Sequence, residues 1–183
     1  MTIKTERLVL RPFEPGDLDT MHAYAGDEAN AEYMVYLPNS TKDQTEQFLR
    51  SVIAEWEKSE QLRQVYEFAI VLDGRHIGAV SVRLEDCGQK GELGWIIRRD
   101  YQGKGFATEA AKAVMDFAFN KLHVKKVFAD CDYRNAASIR IMEKIGMTLE
   151  RDDLLRRYRD SDEDVQGLMY SIYHARHYHA RHQ

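Results

Sequence analysis

The sequence is poor in the residues that mark several classes of protein. Of its 183 residues only 3 are proline and 2 are cysteine, and charged residues interrupt each apolar stretch of residues 1–13. Cys87 and Cys131 lie far apart without a paired-ligand spacing, so neither a disulfide framework nor a zinc site is indicated. Residues 1–13 read neither as a secretory signal nor as a transmembrane helix. We therefore expect a cytoplasmic protein with reduced thiols and no membrane partner.

An excess of basic charge is also missing, since the formal net charge is -4. A general nucleic-acid binder presents a basic surface, so direct binding to nucleic acid is not expected. The composition, 44% hydrophobic and 31% charged, is that of a globular chain long enough to bury a core.

We expect one domain over residues 1–174 and a tail rich in His and Arg over residues 175–183. A histidine repeat begins at His174 and continues in the tail at His177, His179 and His182, but nothing in the sequence fixes its geometry. A solvated extension is the simpler interpretation, and no metal site is predicted.

The hydrophobic periodicity predicts an α+β protein with a mixed sheet. Strands are predicted over residues 7–13, 66–72, 77–84, 92–98, 126–132, 149–158 and 167–174. Helices are predicted over residues 18–25, 41–59, 107–122 and 136–144. Asp73-Gly74 indicates a tight hairpin, Thr41 with Gln44 a capping box, and Gly146 a helix stop.

A loop with two glycines connects the strand at 92–98 to the helix at 107–122. Free N–H groups at a helix N-terminus attract anions, and Gly103 and Gly105 let a diphosphate approach the backbone closely. Arg98, Arg99 and Lys104 add positive charge nearby. The spacing fits neither the dinucleotide fingerprint nor the triphosphate P-loop. The loop therefore predicts an anion site of a different kind.

Three blocks of the sequence resemble the GNAT superfamily of N-acyltransferases. RRDYQGKGFATEA, residues 98–110, matches the motif A pattern Q/R-x-x-G-x-G/A at Gln102, Gly105 and Ala107. NAASIRIMEKIGM, residues 135–147, resembles the N-x-x-S-x-x-x-x-E-K-x-G-F signature with Met147 in place of phenylalanine. TERLVLRPF, residues 5–13, resembles the opening of the RimJ/RimL-type branch, which acetylates protein N-termini.

The resemblance implies a GNAT-like fold, a mostly antiparallel, splayed central sheet flanked by helices, with acetyl-CoA as co-substrate. In that family the strand before the loop bulges and splays from its neighbour, and its backbone pairs with pantetheine. That role falls here to Trp95, Ile96 and Ile97. Gln102 would shape the loop. The resemblance assigns the diphosphate to the backbone of Gly103, Lys104, Gly105, Phe106, Ala107 and Thr108.

The second block implies a residue that protonates the departing thiolate. Asn135 matches the family's asparagine beside the pantetheine arm, and Ser138, one helical turn onward, would point its hydroxyl at the sulfur. Many members have a tyrosine that acts as the general acid at the position of Met142, which cannot donate a proton. Ser138 is therefore the candidate acid, as in the RimL-like branch. Asn135 or Ser138 could instead cap the helix.

The remaining chemistry is deprotonation of the attacking amine. Glu92 is the first candidate base and Asp130 the second, although either could be a solvated surface carboxylate. Covalent transfer through Cys131 is an alternative mechanism, opposed by the ordinary behaviour of a buried cysteine in a central strand.

We expect acetyl transfer to a primary amine, in the first place the α-amine of a protein N-terminus such as that of a ribosomal protein. An α-amine with a pKa of ~8 is partly neutral at pH 7, whereas lysine at ~10.4 scarcely is. The alternatives are a small amine (polyamine, aminoglycoside or amino-acid derivative) and a non-catalytic CoA sensor. The acceptor groove is expected from residues 29–39 and the acidic loop around residues 157–164. A monomer or a homodimer is expected.

Overall fold

The computed structural model describes residues 1–159 and 161–174. The tail histidines His177, His179 and His182, and Asp160 of the acidic loop, lie outside the described residues. The helices and strands of the described part are, in chain order, β1 (Ile3–Lys4), β2 (Leu8–Arg11), α1 (Leu18–Ala25), α2 (Lys42–Glu57), β3 (Val65–Leu72), β4 (Arg75–Glu85), β5 (Lys90–Ile97), α3 (Phe106–Asn120), β6 (Lys126–Asp132), α4 (Ala136–Lys144), β7 (Thr148–Arg157) and β8 (Asp164–Tyr173).

All strands of the described residues join one sheet in the order β1-β2-β3-β4-β5-β6-β8-β7. Every neighbouring pair is antiparallel except β5 and β6, which are parallel and joined by the crossover helix α3. The β3–β4 hairpin turns at Asp73 and Gly74, whose φ angles of 48° and 77° suit a type I′ turn. The predicted α+β class and the mostly antiparallel mixed sheet are confirmed.

The sheet opens between β5 and β6. These strands pair only from Lys90 with Lys126 to Glu92 with Phe128. Beyond Glu92, β5 pairs with β4 alone, while β6 continues along β8. The predicted splay is therefore present, but the bulge implied by the resemblance is not, because the β4–β5 register runs without a shift from Lys90 to Ile97.

Helices cover both faces of the sheet. Strand residues alternate between the two faces, as period-2 geometry requires. Phe68 and Val80 pack towards α3, whereas Ala69 and Ala79 pack towards α1 and α2. No helix of the described residues is long and apolar enough to span a bilayer.

The element boundaries differ from the prediction mainly at loops. The strand predicted over residues 7–13 ends at Arg11, since Pro12 cannot donate to the ladder, and the short strand β1 was not predicted. The capping box of Thr41 and Gln44 is confirmed. Helix α3 begins at Phe106 because Gly105, with a φ of 83°, is its N-cap.

Candidate active site

A cavity of about 480 Å³ opens where β5 and β6 separate. Its walls come from the end of β5, the loop and first turn of α3, helix α4, and the segment between α1 and α2. The predicted cofactor residues that line it are Trp95, Ile96, Ile97, Gln102, Gly103, Gly105, Phe106, Ala107, Thr108, Asn135 and Ser138. The structure thus brings together all of the predicted cofactor residues except Lys104.

The glycine loop presents free backbone donors to the cavity. Gly103 and Gly105 have φ angles of 75° and 83°, which a residue with a Cβ adopts only with strain. The turn places the first residues of α3, Phe106 to Thr108, along the wall, and the N–H groups of a first helical turn lack partners within the helix. Together with the helix dipole, these donors form an anion site.

Gln102 ties this loop to two other parts of the cavity. Its Nε2 donates to the Ile97 carbonyl oxygen over 2.9 Å and to Asn30 Oδ1 over 2.6 Å. Gln102 therefore connects the end of β5 to the segment between α1 and α2.

The cations predicted to support this loop are engaged elsewhere. Lys104 Nζ donates to the Asp100 carbonyl oxygen over 2.9 Å, and Lys104 does not line the cavity. Arg98 pairs with Asp100 at 3.0 Å, and Arg99 lies 3.6 Å from a carboxylate oxygen of Asp27. The Lys104 ammonium group is thus bound to its own loop, and the role of Lys104 in binding the cofactor stays a prediction.

Asn135 and Ser138, at the start of helix α4, have different surroundings. Asn135 is the N-cap, because its side-chain oxygen accepts a hydrogen bond from the Ser138 amide over 3.1 Å. Ser138 lines the cavity, and its hydroxyl makes no hydrogen bond within the described residues. Met142 is fully buried in the core and does not line the cavity.

Neither predicted base lines the cavity. Glu92 lies at the last β5–β6 pair, at the closed end of the splay, and its carboxylate is 3.9 Å from Arg83 Nε. Burial raises the pKa of Glu92, and the neighbouring Glu85 raises it further. Asp130 on β6 forms an ion pair with Arg156 of β7, and Arg156 also donates to the Tyr33 carbonyl oxygen over 3.4 Å.

A second arginine pairs with Asp132, the next carboxylate on the same face of β6. Asp132 is fully buried and accepts hydrogen bonds from Arg134 and from the Tyr158 hydroxyl at 2.6 Å. The Arg134 guanidinium holds the pKa of Asp132 at about 2. Asp130 and Asp132 are thus both in ion pairs with arginines.

Cys131 is poorly placed for covalent chemistry. Its side chain is buried on the opposite face of β6 and does not line the cavity. Burial raises the pKa of its thiol to about 11, so the thiolate is scarce at neutral pH. The structure gives no support to an acetyl-cysteine intermediate.

Some cavity residues were not singled out from the sequence. Part of the predicted groove over residues 29–39 does line the cavity, through Ala29, Asn30, Glu32, Tyr33 and Met34. Tyr101, Arg140, Ile141 and Lys144 line it as well. Helical spacing could have found the last three, because positions 137, 140, 141 and 144 share one face of a helix that begins after Asn135.

An open strand edge beside a glycine-rich helix N-terminus is the arrangement expected of an acyl-CoA-dependent acyltransferase. Residues 7–148 match the acetyltransferase (GNAT) domain. The chain belongs to the GNAT acetyltransferase family. It is an N-acetyltransferase, and acetyl-CoA is its co-substrate.

Acetyltransferases known from sequence or from solved structures are similar to the chain over most of its length. The spermidine N(1)-acetyltransferase of Escherichia coli is 32% identical over 142 residues, covering 77% of this chain and 73% of that protein. The crystal structure of a GNAT-family acetyltransferase from Bacillus anthracis has a TM-score of 0.83 at 27% identity, covering 94% of this chain and 98% of that one.

A further solved structure contains bound ligands. The spermidine N-acetyltransferase of Vibrio cholerae in complex with CoA and spermine has a TM-score of 0.78 at 21% identity, covering 92% of this chain and 96% of that one. At this identity the likeness concerns the fold alone. Within the described residues, no group of His, Cys, Asp and Glu is arranged to hold a metal ion.

Proposed function

We propose that the chain acetylates the α-amine of a peptide or protein N-terminus, such as that of a ribosomal protein, by direct attack of the neutral amine on the thioester. The observation that carries this proposal is the scarcity of acidic groups in the cavity. Among the described residues that line it, Glu32 alone is a carboxylic acid.

A polyamine carries several positive charges, and a site built for it would offer several unpaired carboxylates. Asp130 and Asp132, on one face of β6, do not line the cavity, and their charges are balanced by Arg156 and Arg134. An acceptor with a single amine fits this arrangement better.

The acid–base needs of the reaction favour the same acceptor. An α-amine has a pKa of about 7.7–8.0, so roughly a tenth or more is already neutral near pH 7, far more than for a lysine side chain, and it needs less help from a base. Glu92, at the closed end of the splay, could take the proton through water, because its carboxylate is only partly buried. We assign Glu92 as the base in preference to Asp130, whose carboxylate is bound by Arg156.

The other roles in the reaction are assigned to residues that line the cavity. The free edge of β5 at Trp95, Ile96 and Ile97 would pair with the pantetheine arm, and the amides of residues 103–108 would bind the diphosphate. Ser138, whose hydroxyl is free to donate, would protonate the departing thiolate, while Asn135 holds the first turn of α4 in place. Acetyl-CoA supplies an activated thioester, so the protein has to position the reactants, accept the proton of the amine at Glu92 and donate a proton to the thiolate from Ser138.

A polyamine acceptor is the second candidate. It is favoured by the 32% identity to the spermidine N(1)-acetyltransferase of Escherichia coli. The two candidates differ in what they require of the cavity, since only a polyamine needs several unpaired carboxylates.

The test is to incubate the protein with acetyl-CoA and a panel of peptides, polyamines and aminoglycosides, and to follow the release of free thiol. Turnover with peptides that have a free N-terminus, and none with the same peptides blocked at the α-amine, is the expected result. Turnover restricted to spermine or spermidine would establish the second candidate. Binding of acetyl-CoA without turnover on any amine would indicate a sensor.

A further inference from the structure

The cations of the cavity lie on α4 and not on the glycine loop. Arg140 and Lys144 are the basic residues among the described side chains that line it. Both are exposed, and neither forms a hydrogen bond or an ion pair within residues 1–159 and 161–174. Two cations without partners on the wall of a cavity leave their charge available to an anionic ligand.

The other cations near the loop have no such freedom. Arg7 pairs with Glu109 at 2.7 Å and donates to the Lys104 carbonyl oxygen, and Lys104 donates to the Asp100 carbonyl oxygen. Arg98 and Arg99 are bound by Asp100 and Asp27. The positive side chains near the loop are therefore either paired with carboxylates or, for Lys104, directed at the loop backbone and away from the cavity.

CoA brings more negative charge than the loop amides can balance. Besides its diphosphate it carries a phosphate monoester on the 3′ oxygen of its ribose, with a charge of about −1.5 to −2 at pH 7. The amides at the start of α3 suit the diphosphate, as proposed above. The monoester needs separate partners, and charge-assisted hydrogen bonds to Arg or Lys are the strong ones for a phosphate.

The spacing on α4 suits one phosphate group. Residues four apart on a helix are neighbours, about 5–6 Å between Cβ atoms, so both long side chains can converge on the same group. Ala137 and Ile141 line the cavity on the same face of α4, which directs this face to the ligand.

We propose that Arg140 and Lys144 bind the 3′-phosphate of CoA and give the enzyme its preference for CoA over 3′-dephospho-CoA. The inference rests on the proposed diphosphate site at residues 103–108. It does not depend on the identity of the acceptor amine.

The test is calorimetric affinity for CoA and for 3′-dephospho-CoA, measured without an acceptor. The wild-type protein should prefer CoA by about tenfold or more, the size of one strong charged contact. The double variant Arg140→Gln with Lys144→Gln should lose most of this preference while keeping its affinity for 3′-dephospho-CoA. The charge-preserving variant Arg140→Lys should retain most of it.

The control removes the same charge elsewhere. Lys112 and Lys121 are exposed on α3 and at its end, away from the cavity lining, so Lys112→Gln with Lys121→Gln should keep the wild-type preference. An equal loss of affinity for both ligands in the α4 variant would assign the cations to the diphosphate and overturn the proposal. Unchanged affinity for both would remove them from the site. Absence of binding of either ligand to the wild-type protein would instead refute the diphosphate site.

Discussion

The side-chain oxygen of Asn135 accepts a hydrogen bond from the Ser138 amide over 3.1 Å, so the cap of α4 and the free hydroxyl belong to different residues. If Ser138 donates to the departing thiolate, Ser138→Ala should lower kcat and kcat/KM together by about ten- to a thousandfold. Binding of acetyl-CoA and thermal stability should hardly change. Steady-state kinetics and calorimetry on one sample check this.

Asn135→Ala is the matched variant for the cap. Loss of an N-cap side chain costs about 1 kcal/mol, so this variant should unfold at a lower temperature. Wild-type turnover in Ser138→Ala would end the assignment of Ser138 as the acid, whatever its stability.

Replacing Glu92 by Gln tests the base. A carboxylate accepts a proton only when it is ionised, and burial raises the pKa of Glu92 above its ordinary value of 4.5. The wild-type rate should therefore rise with pH through that raised pKa, and again towards the pKa of the amine. Glu92→Gln should lose turnover and the lower of these two limbs, with little change in affinity for acetyl-CoA. An unaltered pH–rate profile would transfer the role to Asp130 or to bulk water.

Gly105→Val tests the diphosphate loop. The φ of 83° at Gly105 disfavours a β-branched side chain, so the substitution should displace the first amides of α3 and weaken CoA binding by more than about tenfold. Gly88 has a similar φ of 80° in the β4–β5 turn, with open space around it. Gly88→Val should cost similar stability and leave the affinity unchanged. Equal affinities in the two variants would separate the loop from the ligand.

Glu67 links the fold to pH. Burial raises the pKa of this carboxyl group from 4.5 to about 7. A group whose pKa is raised by folding contributes stability that is present below pH 4.5 and is lost as the pH rises through about 7. Glu67→Gln should therefore gain thermal stability relative to wild type between pH 5 and pH 8. A pH-independent difference between Glu67→Gln and wild type would contradict the assignment.

The sequence predicts most of the helices and strands, because their cause is local. The apolar spacing of α2 and its Thr41 capping box are visible in the chain, and so is the Asp73-Gly74 hairpin. The start of α3 directly after Gly105 is also a local feature, because Gly105 is the N-cap of the helix. The family signature also selects Ser138 and the glycine loop, and both line the cavity.

Properties that depend on distant residues could not be predicted in this way. The ion pairing of Asp130 is decided by Arg156, which lies 26 residues further along the chain on another strand. Arg156 reaches across β8 because Gly167 has no Cβ, which would lie 2.9 Å from the Arg156 side chain. Tertiary pairing of this kind leaves no periodic signal.

The central claim is that the acceptor is an α-amine. The most direct measurement offers the protein, in one reaction with acetyl-CoA, an equimolar mixture of spermidine and a peptide with both a free N-terminus and an internal lysine, and locates the acetyl group by mass spectrometry. The account predicts acetylation at the peptide α-amine, with the lysine side chain and spermidine largely unmodified. Acetyl-spermidine or acetyl-lysine as the main product would contradict it.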